Sequence, residues 1–228
     1  MSELAGNDSL YVRLRGTCAN DWRAYTEHAF VAGLADGSLP EEAFRHYLKQ
    51  DYLFLIHFAR AYALAAYKAD DMADMRAAAT HVTALLDTEM SLHVEYCAGW
   101  GIGEADIRAT PESKATMAYT RFVLERGMAG DVLDLYVALA PCVVGYGEIG
   151  KRLIEDPATR VDGNPYRKWI EMYGGDDYRA GVRDAVATLD RAAARRETPQ
   201  RFEDLARTFR QATRLEADFW QMGLTLAE

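Results

Sequence analysis

Cysteine is scarce in this sequence, and its spacing argues against a disulfide framework. The 228 residues include three cysteines, Cys18, Cys97 and Cys142, and no two of them form a C-x-x-C pair. An odd number of cysteines without such pairs favours reduced thiols in a cytoplasm over disulfides or a structural zinc site. We therefore expect a cytoplasmic protein.

Long apolar runs and concentrated cations are also lacking. No run of 18 or more apolar residues and no basic leader is found, which predicts neither a membrane span nor a secretory signal. The formal net charge of -9 at pH 7 argues against nucleic acid or an anionic membrane as the main partner. One basic cluster, Arg191 with Arg195 and Arg196, is typical of a helix carboxyl end, where cations suit the helix dipole.

Alternating strand patterns, G-x-G-x-x-G and P-loop motifs are absent, whereas helical periodicity recurs along the chain. The pattern predicts an all-α bundle of about seven or eight helices, folded as a single domain over residues 1–228. The first predicted helix covers 8–35, and the second begins at Ser38-Leu-Pro-Glu-Glu and runs to about residue 70. Further helices are predicted over 72–100 and 112–127, on the segment that enters Pro141, and over 166–175, 176–197 and 200–226. Loops are predicted before Pro111 and over 156–165.

The stretch ALAPCVVGYGEIG, residues 138–150, places a proline directly before a cysteine inside an apolar helix. Proline lacks an N–H and clashes with the preceding turn, so the helix is expected to kink or restart at Pro141. Cys142 would then occupy a first turn, where the helix dipole favours a thiolate, with Tyr146 on the same face. A lone cysteine on an apolar helix is more often a small buried hydrophobe, and this alternative stays open.

Two further polar features stand out at helical spacing. Asp51 falls within an apolar stripe, so it needs either a ligand or a partner such as a neighbouring tyrosine or backbone group. Glu89 and His93 are one turn apart and would point the same way, as two metal-capable groups do. A single pair of this kind is more often an ordinary hydrogen bond than half of a metal site.

Five separated stretches resemble the thiaminase II (TenA) family. They are HAFVAGLADGSLPEEAFRHYLKQDYLFLIHFARA at 28–61, EMSLH at 89–93, ALAPCVVGYGEIG at 138–150, PYRKWIEMYGG at 165–175 and LEADFW at 215–220. The resemblance implies a haem-oxygenase-like fold, a homotetramer, and no haem, metal or other cofactor. It also implies hydrolysis at the 5-methylene carbon of a 4-amino-2-methylpyrimidine, with release of ammonia or of the thiazole of thiamin, in thiamin-pyrimidine salvage.

The resemblance also implies roles for particular residues. Cys142 matches the family's nucleophile, Asp51 the carboxylate that binds the amino edge of the pyrimidine, and Glu216 the acid at a ring nitrogen. The remaining matched positions are expected to line the substrate pocket: Phe54, Tyr119, Tyr146, Tyr173 and Phe219.

Some positions depart from the family pattern and bear on substrate size and leaving group. Phe54 stands where the family commonly has a tyrosine, Val144 and then Gly145 where an aromatic residue often follows the cysteine, and Ala29 where a proline is usual.

Two other functions remain open at this stage. One is a di-iron oxygenase on the same kind of bundle, which would need more histidine ligands near Asp51, Glu89, His93 and Glu216. The other is a non-catalytic member that binds a pyrimidine or a partner protein.

Overall fold

The computed structural model describes residues 5–6 and 8–228, and every regular element in them is helical. The described part of the chain contains twelve α-helices and one π-helical segment. The first half comprises α1 (Leu10–Thr17), α2 (Ala19–Thr26), α3 (Ala29–Asp36), α4 (Glu41–Lys68), α5 (Met72–Thr83), the π-helical segment Ala84–Glu89 and α6 (Met90–Gly99). The second half comprises α7 (Glu104–Arg108), α8 (Lys114–Ala129), α9 (Val132–Glu155), α10 (Arg167–Gly174), α11 (Asp176–Arg196) and α12 (Pro199–Thr225).

The elements form an all-helical single-domain bundle, as the periodicity predicts, but the number of helices is higher than expected. The prediction that the domain takes in residues 1–228 stays a prediction, since residues 1–4 and 7 lie outside the described part.

The single helix predicted for 8–35 is wrong, because the segment consists of α1, α2 and α3. Cys18 leaves the helical region at φ -136° and separates α1 from α2. His28 is extended and caps α3, its ring nitrogen accepting the N–H of Phe30 at 3.1 Å. Gly37 ends α3 in the left-handed region at φ 75°, where glycine meets no side-chain penalty. Capping by single residues thus overrides a continuous apolar periodicity.

The long helix predicted after Ser38 is confirmed as α4, with Glu41 and Glu42 in its first turn, where acids suit the dipole. The predicted helix over 72–100 consists of three consecutive helical segments, because the π-helical segment separates α5 from α6. The loop predicted before Pro111 contains the short helix α7. The remaining helices lie within a few residues of their predicted limits.

The restart that was one of the two alternatives predicted at Pro141 is wrong. α9 runs from Val132 to Glu155 with Pro141 inside it, so Cys142 lies in the helix interior and not in a first turn. Most of α9 is buried, and α2, α8, α10, α11 and α12 pack around it. The packed surroundings hold the helix together where proline removes one backbone hydrogen bond.

α9 is also long and apolar enough to cross a membrane by length and composition. Its most apolar 18-residue window has a mean hydropathy of 1.5, and 78% of that window is buried within the bundle. Core helices and membrane spans both meet this criterion.

The predicted basic cluster at the carboxyl end of α11 lies against acids at the start of α5. Arg191 donates a hydrogen bond to Asp74 Oδ1 at 2.8 Å, and Arg195 donates one to Asp71 Oδ2 at 3.0 Å. Arg196 pairs with Asp70. The cations are therefore neutralised by ion pairs that join α11 to α5.

Candidate active site

The predicted nucleophile and the predicted acid lie close to each other in the bundle. Glu216, on α12, is only 1% exposed. Tyr119, on α8, donates its hydroxyl to Glu216 Oε1 at 2.8 Å. Cys142, on α9, lies near enough to the same carboxyl group for the two side chains to shift each other's pKa. Three helices thus bring an acid, a phenol and a thiol to one point.

Burial dominates the electrostatics of this group. It raises the pKa of Glu216 to about 8, while the hydrogen bond from Tyr119 and the nearby Cys142 thiol oppose the shift and the charge of Asp51 adds to it. Burial also raises the pKa of the Cys142 thiol well above its ordinary value, as do the nearby carboxyl groups of Glu216 and Glu89. The expectation of a thiolate stabilised by a helix amino terminus is therefore wrong, since Cys142 is a neutral thiol at pH 7.

Asp51 has the partners that its position in an apolar stripe requires. Tyr47, one turn earlier on α4, donates to Asp51 Oδ2 at 2.9 Å, and His93 Nε2 lies 2.6 Å from the same oxygen. In the described part of the chain, the other oxygen, Oδ1, has no hydrogen-bond partner. Asp51 is thus fixed through one oxygen and can accept a hydrogen bond from a ligand through the other.

His93 has a defined proton at one ring nitrogen. Its Nδ1 lies 2.7 Å from the backbone carbonyl of Glu89, which can only accept, so Nδ1 carries a hydrogen. Burial opposes the charged ring, but the hydrogen bond and charge of Asp51 outweigh it and raise the pKa of His93. One proton is therefore held between His93 Nε2 and Asp51 Oδ2.

The side chain of Glu89 lies apart from the ring of His93 and near Tyr173, whose hydroxyl is 3.4 Å from Oε2. Burial raises the pKa of Glu89 to about 7, and the charge of Asp51 contributes to the same shift. Among the described residues, no three His, Cys, Asp or Glu side chains are placed to hold a metal ion together.

The predicted pocket aromatics surround the polar groups. Phe54 packs against Tyr119 with ring centroids 5.0 Å apart and against Phe219 at 5.4 Å. The ring centroids of Tyr146 and Tyr173 are 4.8 Å apart. The structure thus brings all eight residues of the predicted site into one cluster.

A cavity of about 420 Å³ opens beside this cluster. Cys142 and Glu89 line it together with Phe58, Tyr62 and Tyr178, so the half-buried thiol is reached from the cavity. The other seven residues of the predicted site are buried and are not part of the lining, so the prediction that the five aromatic residues line this cavity is wrong: Asp51, Phe54, Tyr119, Tyr146, Tyr173, Glu216 and Phe219. The volume suits a small organic ligand, and Cys142 is the link between the cavity and the buried acids.

A larger groove of about 860 Å³ lies between α1 and the α11–α12 junction. It is lined by none of the predicted site residues. Val144 is buried outside the lining of the Cys142 cavity, beside a separate small space.

Sequence reasoning missed Tyr25 and Tyr47 and gave His93 no role with Asp51. Tyr47 precedes Asp51 by four residues on one helix, and this spacing signals a contact. The hydroxyl of Tyr47 also lies 3.3 Å from that of Tyr146 and accepts the indole N–H of Trp169 at 3.3 Å. Tyr25 and His93 reach the site only through tertiary packing, for which the sequence has no local signal.

Comparison with known proteins places the chain among proteins of this architecture. A Silicibacter sp. TM1040 structure described as a TenA family transcription regulator is 50% identical, with a TM-score of 0.92, covering 99% of this chain and 100% of that one. A Haemophilus influenzae protein named only as uncharacterized is 42% identical over 206 residues, which are 90% of this chain and 94% of the relative.

A third relative has a named activity. The protein named aminopyrimidine aminohydrolase from Halalkalibacterium halodurans is 35% identical over 202 residues, 89% of each chain. The sequence profile of the TENA/THI-4/PQQC family matches residues 18–226, nearly the whole chain. The bundle is thus the haem-oxygenase-like fold that the resemblance implied, and the chain belongs to the TENA/THI-4/PQQC family.

Proposed function

We propose that this protein is an aminopyrimidine aminohydrolase of the thiaminase II type. It hydrolyses a 5-substituted 4-amino-2-methylpyrimidine, converting the aminomethyl compound to the hydroxymethyl pyrimidine and ammonia. The observation that supports this most strongly is the position of Cys142 at the wall of a cavity of substrate size and close to the buried acid Glu216. The relative named aminopyrimidine aminohydrolase supports the same reaction.

The proton held by Glu216 allows Cys142 to attack the ring although its thiol is neutral in the resting protein. A pyrimidine carbon resists attack until a ring nitrogen is protonated, and Glu216, with a pKa of about 8, carries the required proton at pH 7. Once Glu216 has given that proton to the ring, its carboxylate accepts the thiol proton of Cys142. The resulting thiolate adds to ring carbon 6, so no free thiolate has to exist beforehand.

The later steps follow from this adduct. The electrons of the dearomatised ring expel the amino group from the 5-methylene carbon. This group takes up a proton and leaves as ammonia. Water then adds to the exocyclic alkene, and departure of the Cys142 sulfur from carbon 6 restores the aromatic ring. Tyr146 and Tyr173 contribute ring faces that exclude bulk water from these intermediates.

Asp51 orients the ring in this scheme. Its Oδ1 accepts a hydrogen bond from the 4-amino group, while Tyr47 and His93 hold Oδ2 in place. A carboxylate fixed by two partners loses little freedom on binding, so it orients the substrate efficiently. Phe54 and Phe219 supply the apolar walls. We place the reaction in thiamin-pyrimidine salvage in the cytoplasm, in a homotetramer without a cofactor.

The test is product analysis with the purified protein. We expect ammonia and the hydroxymethyl pyrimidine in equal amounts from 4-amino-5-aminomethyl-2-methylpyrimidine, with the rate unchanged after metal chelation. Thiamin, assayed in parallel for thiazole release, identifies the preferred leaving group. Folded protein that releases neither product would contradict the proposal and favour a binding or regulatory role. Activity that depends on bound iron would favour the di-iron alternative.

A further inference from the structure

Tyr25 is a buried tyrosine on α2 whose hydroxyl has no hydrogen-bond partner among the described residues. Its ring is held on two sides, edge-on to Trp22 with centroids 5.7 Å apart and stacked on Trp220 at 6.3 Å. Burying a hydroxyl without a partner costs free energy, whereas phenylalanine would fill the same space at no such cost. The hydroxyl therefore calls for an explanation other than packing.

Gly145 allows the hydroxyl of Tyr25 to reach the active-site face of α9. A Cβ atom at position 145 would lie 2.5 Å from the Tyr25 oxygen and 2.2 Å from Cε1, so only glycine leaves room for the ring. Position 145 follows Cys142 by three residues and is therefore its neighbour on the helix surface. The phenol of Tyr25 thus lies against the turn that carries the proposed nucleophile.

The electrostatic surroundings of Tyr25 belong to the same site. Burial raises its pKa well above the ordinary value, and among charged groups Glu216 and then Cys142 raise it most. Tyr25 consequently stays a neutral hydrogen-bond donor at any pH at which the protein works. Other titratable groups facing the Cys142–Glu216 pair come from several helices: Asp51, Tyr62, Glu89, Tyr119 and Tyr178.

We propose that Tyr25 is a positioning residue that donates a hydrogen bond to the negative charge formed on the Cys142–Glu216 pair during the reaction. In the resting protein the thiol and the carboxyl are both neutral, and the hydroxyl of Tyr25 has no partner among the described residues. When Glu216 protonates the ring, the charge appears near this unpaired donor, and a small movement of the phenol forms the hydrogen bond. This inference rests on the proposed function for the reaction, but the hydrogen bond itself can be tested without substrate.

Tyr25→Phe is the test variant, and Tyr136→Phe is its matched control. Tyr136 is also buried, and its hydroxyl also lacks a partner among the described residues, but its charged neighbours are Asp74 and Arg191. Both variants remove one buried hydroxyl without changing the shape of the core. We expect both to keep or raise the melting temperature, since each removes an unsatisfied group.

Only Tyr25→Phe is expected to alter catalysis. Its kcat/KM should fall roughly ten-fold, the effect of losing one hydrogen bond to a charged group. The alkaline limb of its pH profile should move to higher pH, because removing a donor to the carboxylate raises the pKa of Glu216. If both variants match wild type in rate and profile, the hydroxyl of Tyr25 is structural only and the inference is overturned.

A second readout separates this inference from the proposed function. Alkylation of Cys142 by iodoacetamide, followed as a function of pH by peptide mass spectrometry, reports thiol ionisation without any substrate. The profile should shift to higher pH in Tyr25→Phe and stay in place in Tyr136→Phe. This result in a protein without aminohydrolase activity would refute the proposed reaction and retain the hydrogen bond. Active protein whose profile is unchanged in Tyr25→Phe would refute the hydrogen bond alone.

Discussion

Three acids, Asp51, Glu89 and Glu216, lie near the Cys142 thiol, and Asp51 and Glu216 are almost fully buried. The proton states of these groups follow from their different partners. Glu216 accepts a hydrogen bond from Tyr119, yet burial keeps its pKa near 8. Asp51 accepts from Tyr47 and shares a proton with His93. Neighbouring acids with different environments can hold different charges at one pH, which is what acid catalysis beside a hydrogen-bond acceptor requires.

Glu216→Gln tests the role of the acid. The amide keeps the size of the side chain but cannot donate a carboxylic proton, so kcat should fall by about 10²-fold or more with little change in KM. Wild-type kcat/KM should decline above about pH 8, where Glu216 loses its proton. Asp51→Asn, by contrast, should raise KM as well. Equal and small effects from both variants in steady-state kinetics would contradict the assigned roles.

The same acid affects stability. The pKa of Glu216 is about 8 in the folded protein, above its usual value of 4.5, so the folded state binds the extra proton between these limits. Its contribution is complete below pH 4.5 and is lost as pH rises through 8. Glu216→Gln should therefore gain unfolding free energy relative to wild type between pH 6 and 9 in urea denaturation. A difference independent of pH would show that Glu216 titrates normally.

How far the site could be predicted depends on the kind of signal at each residue. The position of Asp51 in an apolar stripe predicted a buried carboxylate with a partner. Cys142 and Glu216 were found through family motifs. The thiolate was predicted wrongly, since the pKa of Cys142 depends on burial and on acids from other helices. Tyr25 was missed because it approaches the Cys142 turn over Gly145, which lies 120 residues away in the sequence.

At the level of helices, close packing against α9 depends on small residues on its surface. Tyr25 of α2 occupies the space above Gly145, and the α10 backbone at Tyr173 lies 2.4 Å from where a Cβ at Gly150 would stand. Sequence periodicity finds such a helix but cannot show which neighbour uses its glycines. Pro141 illustrates the same limit, because tertiary packing maintains the helix that proline would interrupt in isolation.

Gly145→Ala should separate packing from helix propensity. The added methyl group overlaps Tyr25, so the free energy of unfolding should fall by about 1–3 kcal/mol. Gly181→Ala, in the interior of α11 with no atom within 4 Å of the new Cβ, should instead stabilise by about 0.5–1 kcal/mol. Thermal denaturation of both variants checks this. A stabilised Gly145→Ala protein would show that Tyr25 does not occupy this position.

Across the whole molecule, the net charge affects interactions with other macromolecules, whereas helical periodicity determines the fold class. The arginines of α11 are paired with acids of α5, which leaves the net charge of -9 to dominate interactions with large polyanions. The all-α class was predictable because amphipathic periodicity persists along the chain. The helix count was not, since it depends on the caps at Cys18 and His28 and on the π-helical segment.

We propose a homotetramer on the basis of family resemblance, and its mass can be measured directly. Sedimentation equilibrium should give about four times the 25.5 kDa chain mass. A monomer at micromolar concentration would contradict this and would leave the catalytic proposal intact, because Cys142, Glu216 and Asp51 all come from one chain.

The measurement that tests the central claim most directly is ammonia release by Cys142→Ser beside wild type and Cys97→Ser. Serine is nearly isosteric with cysteine but a far weaker nucleophile, so Cys142→Ser should lose at least about 10³-fold in kcat while its melting temperature changes little. Cys97 is buried outside the cavity, and Cys97→Ser controls for loss of a buried thiol. We predict release by wild type and Cys97→Ser only. Release by Cys142→Ser at a rate near wild type would contradict nucleophilic attack by Cys142.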